Sequence, residues 1–111
     1  QVEYSLFSRE IERDLLAYCE RARITVIAYS PLARGEVSQA PNSVALQLLG
    51  EIARRHRKTP AQVALAWLIA KKPVIAIPKA MQAQHVIENA AVGDWTLPDE
   101  DCSALSNAFL A

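Results

Sequence analysis

Ile24-Thr25-Val26-Ile27-Ala28 is a near-continuous apolar run, preceded by charge at Arg21 and Arg23 and closed by Tyr29-Ser30-Pro31. A short apolar run bounded by charge and a turn reads as a strand. Apolar residues at successive rather than alternate positions are typical of strands buried on both faces, as in parallel sheets. Two further runs match it. Val2–Leu6 is β-favouring and followed by a turn, and Val74–Ile77 follows Pro73. Between the first two runs lies Arg9–Arg21, where Ile11, Leu15, Leu16 and Cys19 paint one helical face against Arg, Glu and Asp on the other. Ser8 stands at the N-cap position of that helix.

Downstream of Ile24–Ala28, the segment Pro31–Ser43 reads as a long loop with Gly35 and Pro41, and long loops are often functional. Val44–His56 then reads as a helix with Leu46, Leu48, Leu49, Ile52 and Ala53 inward, weakened by Gly50. Thr59-Pro60-Ala61-Gln62 is a helix start: Thr59 caps, Pro60 takes the first helical position, and Gln62 can close a capping box. That helix runs to about Ala70 and is apolar nearly all round, so it must be buried. After Val74–Ile77, Gln82–Ala91 reads as a helix with Val86, Ile87 and Ala90 inward. Leu97-Pro98-Asp99-Glu100-Asp101 opens a last helix, whose three first-turn acids suit the helix dipole. Strand, helix, strand with apolar strands implies right-handed crossovers and an α/β fold: three parallel strands with outer helices.

At 111 residues, 51% hydrophobic and 22% charged, the chain is one globular domain. Twelve basic side chains balance twelve acidic ones, so neither nucleic acid nor an anionic membrane is the expected partner. No apolar run reaches the length of a membrane span, and no signal peptide is visible. Cys19 and Cys102 form no Cys-x-x-Cys pair and match no zinc spacing, so no metal site is expected and both read as reduced thiols of a cytoplasmic protein. The chain starts at Gln1, not Met, and is expected to be processed or cut from something longer. A three-stranded parallel sheet keeps two open edges, which invite pairing. The expected remedy is further strands, from a longer chain or from a partner copy.

Several segments carry a more specific signal. Gln1-Val2-Glu3-Tyr4 resembles the sixth-strand signature of the aldo-keto reductases. Val26-Ile27-Ala28-Tyr29-Ser30-Pro31-Leu32 is similar to their seventh strand and following loop, and Lys58-Thr59-Pro60-Ala61-Gln62-Val63-Ala64-Leu65-Ala66-Trp67 to their seventh barrel helix. Ile77-Pro78-Lys79 and His85-Val86-Ile87-Glu88-Asn89 resemble the eighth strand and its phosphate-binding segment. The resemblance implies a partial (β/α)8 barrel, the C-terminal portion of a fold that reduces aldehydes and ketones with a nicotinamide cofactor. It also implies that the family's catalytic tetrad of Asp, Tyr, Lys and His lies in the first half of the barrel. None of the four has a counterpart here.

The cofactor side is what the resemblance leaves. It implies that Gln1 hydrogen-bonds the nicotinamide carboxamide and that Tyr29 stacks on the nicotinamide ring. Ser30, Leu32 and Arg34 fall in the loop that closes over the pyrophosphate. Lys79, followed by Ala80, is placed at the 2'-phosphate of NADP, and Glu88 and Asn89 near the adenosine. His85 departs from the pattern, which has Arg there, and an imidazole cannot make the guanidinium fork. NAD therefore stays open beside NADP. His56, at a helix end before Arg57-Lys58, reads instead as a partner of the helix dipole.

Two functional readings follow. The first is a fragment of an NADP-dependent carbonyl reductase that retains the cofactor-binding side and is inactive alone, with weak or absent cofactor affinity. The second is a stand-alone, non-enzymatic module for nucleotide binding or oligomerisation. The open sheet edges favour a homo-oligomer or a missing N-terminal barrel half in either case.

Overall fold

The computed structural model describes residues 1–33, 43–79 and 82–109. Strands β1 (Val2–Glu3), β2 (Val26–Tyr29) and β3 (Val74–Ala76) form one parallel sheet in the order β1-β2-β3. The helices are α1 (Leu15–Ala22), α2 (Val44–His56), α3 (Pro60–Ile69), α4 (Ala83–Ala91) and α5 (Asp99–Ala108). Short 3-10 turns lie at Glu10–Glu12 and Val92–Asp94. The α/β class, the strand order and the parallel sense are those expected from the sequence.

Several boundaries move, each for a local reason. The first strand keeps only Val2–Glu3, because Ser5 Oγ accepts the N–H groups of Phe7 and Ser8 and turns the chain out of the ladder. Ser8 gives its backbone to that turn and does not cap a helix; Arg9 holds the N-cap position of the segment that follows, with no side-chain cap bond. The expected helix from Arg9 begins as a 3-10 turn, and α1 starts only at Leu15. The second strand starts at Val26, not Ile24, because the Ile24 N–H closes α1 by bonding the Cys19 carbonyl at 2.8 Å. Arg23 holds the left-handed conformation that this helix ending needs (φ 59°).

The Thr59–Gln62 capping box is present in both halves, and Ser43 caps α2 through the Leu46 N–H. Residues Val63 to Leu68 of α3 are all buried, which explains why no polar face was legible there. Helix α3 packs on β3 and α2, and α5 packs on α2. Trp67 anchors this layer. Its Nε1–H donates to Ser106 Oγ of α5 at 3.0 Å, and its ring meets Tyr4 edge-on.

One expectation about burial fails. Val26, Ala28 and Val74 point into the helix layer and are buried, whereas Tyr29, Ile75 and Ile77 on the other face are exposed. The strands are apolar on both faces, but among the described residues only one face is buried against helices. Likewise Val86, Ile87 and Ala90 of α4, expected inward, are exposed, and no residue of α4 is buried. Exposed apolar side chains therefore mark both this face of the sheet and helix α4 among the described residues.

Candidate functional site

The ladder registers build a rim at the carboxyl ends of the strands. Glu3 pairs with Tyr29, and the Ile77 N–H continues the β2–β3 ladder by bonding the Ala28 carbonyl at 3.1 Å. β1 therefore runs beside the last residues of β2, so that its start already lies near the top of the sheet. Gln1, exposed and just before β1, sits within one residue of the Val2–Ala28 pair. Carboxyl-terminal rims of parallel α/β sheets are where such folds place ligands.

Tyr29 closes β2 with its ring exposed on the uncovered face. The backbone immediately after it is unusual: Ser30 and Ala33, neither a glycine, have φ of 48° and 50°. The Ala33 N–H returns to the Ser30 carbonyl at 3.0 Å, which closes a tight turn. Arg23 and Arg57 take the same conformation at helix ends, whereas at Ser30 and Ala33 it belongs to a turn at the strand end that its surroundings must hold. Ser30 is half-buried, and Leu32 turns back to pack against the core. Arg34 lies outside the described residues, as does Ala80.

On the third strand, Lys79 follows Ile77-Pro78 and is exposed. Helix α4 opens three residues later at Gln82, whose side chain makes no cap hydrogen bond. A cation next to a helix N-terminus without a side-chain cap is a combination that suits an anion. His85, Glu88 and Asn89 are spaced three and four apart on α4, so they share one helical face. His85 is exposed, and Glu88 and Asn89 are half-buried. Glu88 accepts from Gln84 Nε2 at 3.1 Å.

Sequence reasoning missed two residues at this site. Glu3 faces Tyr29 across the ladder, and only the register reveals it. In the sequence Gln62 reads as a capping residue alone, yet its Nε2 also donates to the Glu88 carbonyl at 3.0 Å. That contact joins residues 26 positions apart and has no local signal.

The remaining polar groups are structural. His56 Nε2 pairs with Asp101 Oδ2 and so joins the end of α2 to the start of α5. Both cysteines are free thiols; Cys19 is buried, and burial pushes the Cys102 thiol up from its usual range, which leaves it a poor nucleophile. Among the described residues, no three His, Cys, Asp or Glu side chains gather as a metal site, and no helix is long and apolar enough to cross a membrane.

A sequence model of the aldo/keto reductase family matches residues 1–108. The methylglyoxal reductase YeaE of Escherichia coli is 42% identical over the whole chain, which spans 39% of that protein. The glyoxal reductase of Bacillus subtilis is 35% identical over 91% of the chain, covering 33% of its own length. Among solved structures, a Klebsiella pneumoniae aldo/keto reductase in complex with NADP and acetate superposes with a TM-score of 0.85 at 36% identity, matching 98% of this chain and 38% of that one. The thermostable aldo-keto reductase Tm1743 superposes with a TM-score of 0.88 at 38% identity, over 97% of this chain and 38% of its own. The chain thus spans about two fifths or less of these relatives, and its three strands are part of a barrel.

Proposed function

Because the chain belongs to the aldo/keto reductase family, we propose that it supplies the cofactor-binding side of an NADP-dependent carbonyl reductase. The observation that supports this most is the convergence of Tyr29, Lys79 and the start of α4 at one rim of the sheet. The chemistry of these groups fits an adenine dinucleotide phosphate. An exposed aromatic ring suits the nicotinamide, and a carboxamide such as Gln1 offers both a donor and an acceptor to the nicotinamide amide. Lys79 and the helix start suit the 2'-phosphate, and Glu88 and Asn89 offer polar atoms to the adenosine.

In this proposal Tyr29 fixes which face of the nicotinamide points at the substrate, and the Ser30–Ala33 turn brings backbone close to the pyrophosphate. Bound NADPH would supply the hydride for reduction of an aldehyde or ketone. Two relatives bear the names methylglyoxal reductase and glyoxal reductase, so small dicarbonyls are the substrates to test first. Proton delivery to the substrate would come from other strands of a complete barrel.

The test is calorimetric titration of the chain with NADPH. Binding near the millimolar range, roughly −4 kcal/mol, is expected, because the pre-organising strands of a full barrel are not part of these residues. Lys79→Ala should weaken it by about tenfold. Binding unchanged by that substitution would misplace the phosphate, and turnover of methylglyoxal by the chain, free of host reductases, would misplace the chemistry.

The uncovered inner face of the sheet favours a second, compatible reading. Tyr29, Ile75 and Ile77 would be covered by further strands, contributed by a longer chain or by a second copy. Light scattering of the chain at micromolar concentration separates association from a monomer.

A further inference from the structure

Helix α4 has little to hold it. None of its nine residues is buried, and Val86 and Ile87 are 53% and 69% exposed. Among the described residues, one side-chain hydrogen bond reaches it from another element: Gln62 Nε2 to the Glu88 carbonyl at 3.0 Å. That carbonyl is available because α4 tightens as it ends. The Val92 N–H bonds to Asn89 and Ala90 rather than to Glu88 four residues back, and the chain continues as a 3-10 turn. A helix-end carbonyl left in this way needs a donor.

Gln62 is built to be that donor. It is 8% exposed, and its other amide atom, Oε1, accepts the Thr59 N–H at 2.9 Å. One planar amide thus fixes the start of α3 at one end and the last turn of α4 at the other. Helix α3 is the most buried helix of the molecule, so the fixed partner is α3 and the one being placed is α4. The turn that receives the bond carries Glu88 and Asn89.

We propose that Gln62 is a positioning residue for the adenosine end of the dinucleotide, acting through the Glu88 carbonyl without touching the ligand. This rests on the reading that places adenosine at Glu88 and Asn89. The expected consequence is selective. Loss of the Gln62 donor should weaken ligands that carry the adenosine 2'-phosphate and leave ligands that engage the nicotinamide side, Gln1 and Tyr29, unchanged.

The experiment titrates the 15N-labelled chain with 2',5'-ADP and, separately, with nicotinamide mononucleotide, following backbone amides by NMR. Gln62→Met removes both amide contacts, and the affinity for 2',5'-ADP should fall about three- to tenfold, the effect of losing the bond to the Glu88 carbonyl, with nicotinamide mononucleotide unaffected. Thr59→Ala removes the other half of the capping box but leaves the bond to Glu88, and should change 2',5'-ADP affinity less than about twofold. Equal loss for both ligands in Gln62→Met, or a Thr59→Ala effect as large, would reduce Gln62 to a structural residue and overturn the proposal. If Gln62→Met does not fold, the wild-type side-chain amide decides: its signal must shift together with the Asn89 amide as 2',5'-ADP is added, and a stationary signal overturns the proposal. Wild-type spectra in which 2',5'-ADP moves neither Glu88 nor Asn89 would instead remove the adenosine reading on which it rests.

Discussion

His56 Nε2 lies 2.7 Å from Asp101 Oδ2, so the last turn of α2 is tied to the first turn of α5 by a carboxylate that is only 5% exposed. Arg55 adds a second contact to the other carboxylate oxygen at 3.1 Å. Burial alone would push the Asp101 carboxyl up, but the hydrogen bonds and charges of His56 and Arg55 outweigh it and hold the group below its usual range. A carboxyl depressed in the folded state stabilises the fold above the unfolded pKa, and that contribution is lost as pH falls through the folded value. Stability should therefore drop in acid, below about pH 4, the ordinary aspartate range. Asp101→Asn should cost about 1–3 kcal/mol at pH 7 and flatten that acid limb. Urea melts of both proteins between pH 3 and 7 check it, and an unchanged acid limb in the variant would assign the loss to other groups.

At the opposite side of the same layer, Tyr4 donates to Glu12 Oε2 at 2.6 Å while Arg9 grips both oxygens of that carboxylate. Burial, then the bond to Glu12, pushes the Tyr4 hydroxyl far above its usual range. A raised folded value means full stabilisation below the unfolded pKa of 10.0, lost as pH rises beyond it. Tyr4→Phe should cost about 1 kcal/mol at neutral pH and soften the alkaline loss of stability. Thermal melts from pH 7 to 11 provide the measurement.

Gly50 sits in the middle of α2, and a Cβ built there meets nothing within 4 Å. Gly50→Ala therefore gains helix propensity with no clash and should stabilise by about 0.5–1 kcal/mol. For a domain of this size, that is a rise in melting temperature of a few degrees. A fall would mean that the half-buried position is tighter than its geometry implies.

These residues also mark what the sequence could and could not disclose. The Thr59–Gln62 cap, the inward face of α2 and the order of the strands are local or periodic signals, and they were legible. The lost length of the first strand was not, because it depends on Ser5 Oγ capturing two amides across a turn. The exposure of Ile75 and Val86 was not legible either, since apolar periodicity reports which face wants cover and is silent on whether this stretch of chain contains the cover. At the rim, Tyr29 and Lys79 could be read from strand ends, whereas Glu3 beside Tyr29 needed the register, and the reach of Gln62 to Glu88 needed the packing of α3 on α4.

The uncovered sheet face makes its own prediction. Ile75 and Ile77 are 51% and 45% exposed on the same side as Tyr29, and large apolar side chains gain about 1.5–3 kcal/mol each on full burial. The chain should self-associate at micromolar concentration. Ile75→Lys should weaken that association by at least about tenfold without unfolding the helix layer, because Ile75 points away from it. Sedimentation equilibrium of the two proteins tests this, and a monomeric wild type would end the idea.

His85 offers the most direct test of cofactor choice. It stands on the same face of α4 as Glu88 and Asn89, a turn after the helix start and near Lys79 in the chain. An imidazole offers one donor where a guanidinium offers a planar fork with a permanent charge, suited to a phosphate. If the 2'-phosphate lies between Lys79 and α4, His85→Arg should tighten NADPH by about tenfold and leave NADH nearly unchanged, since NADH lacks that phosphate. Parallel titrations with both nucleotides give the ratio directly. Equal gains for the two would show that position 85 reads the adenine ring alone, and no gain for either would move the phosphate away from α4.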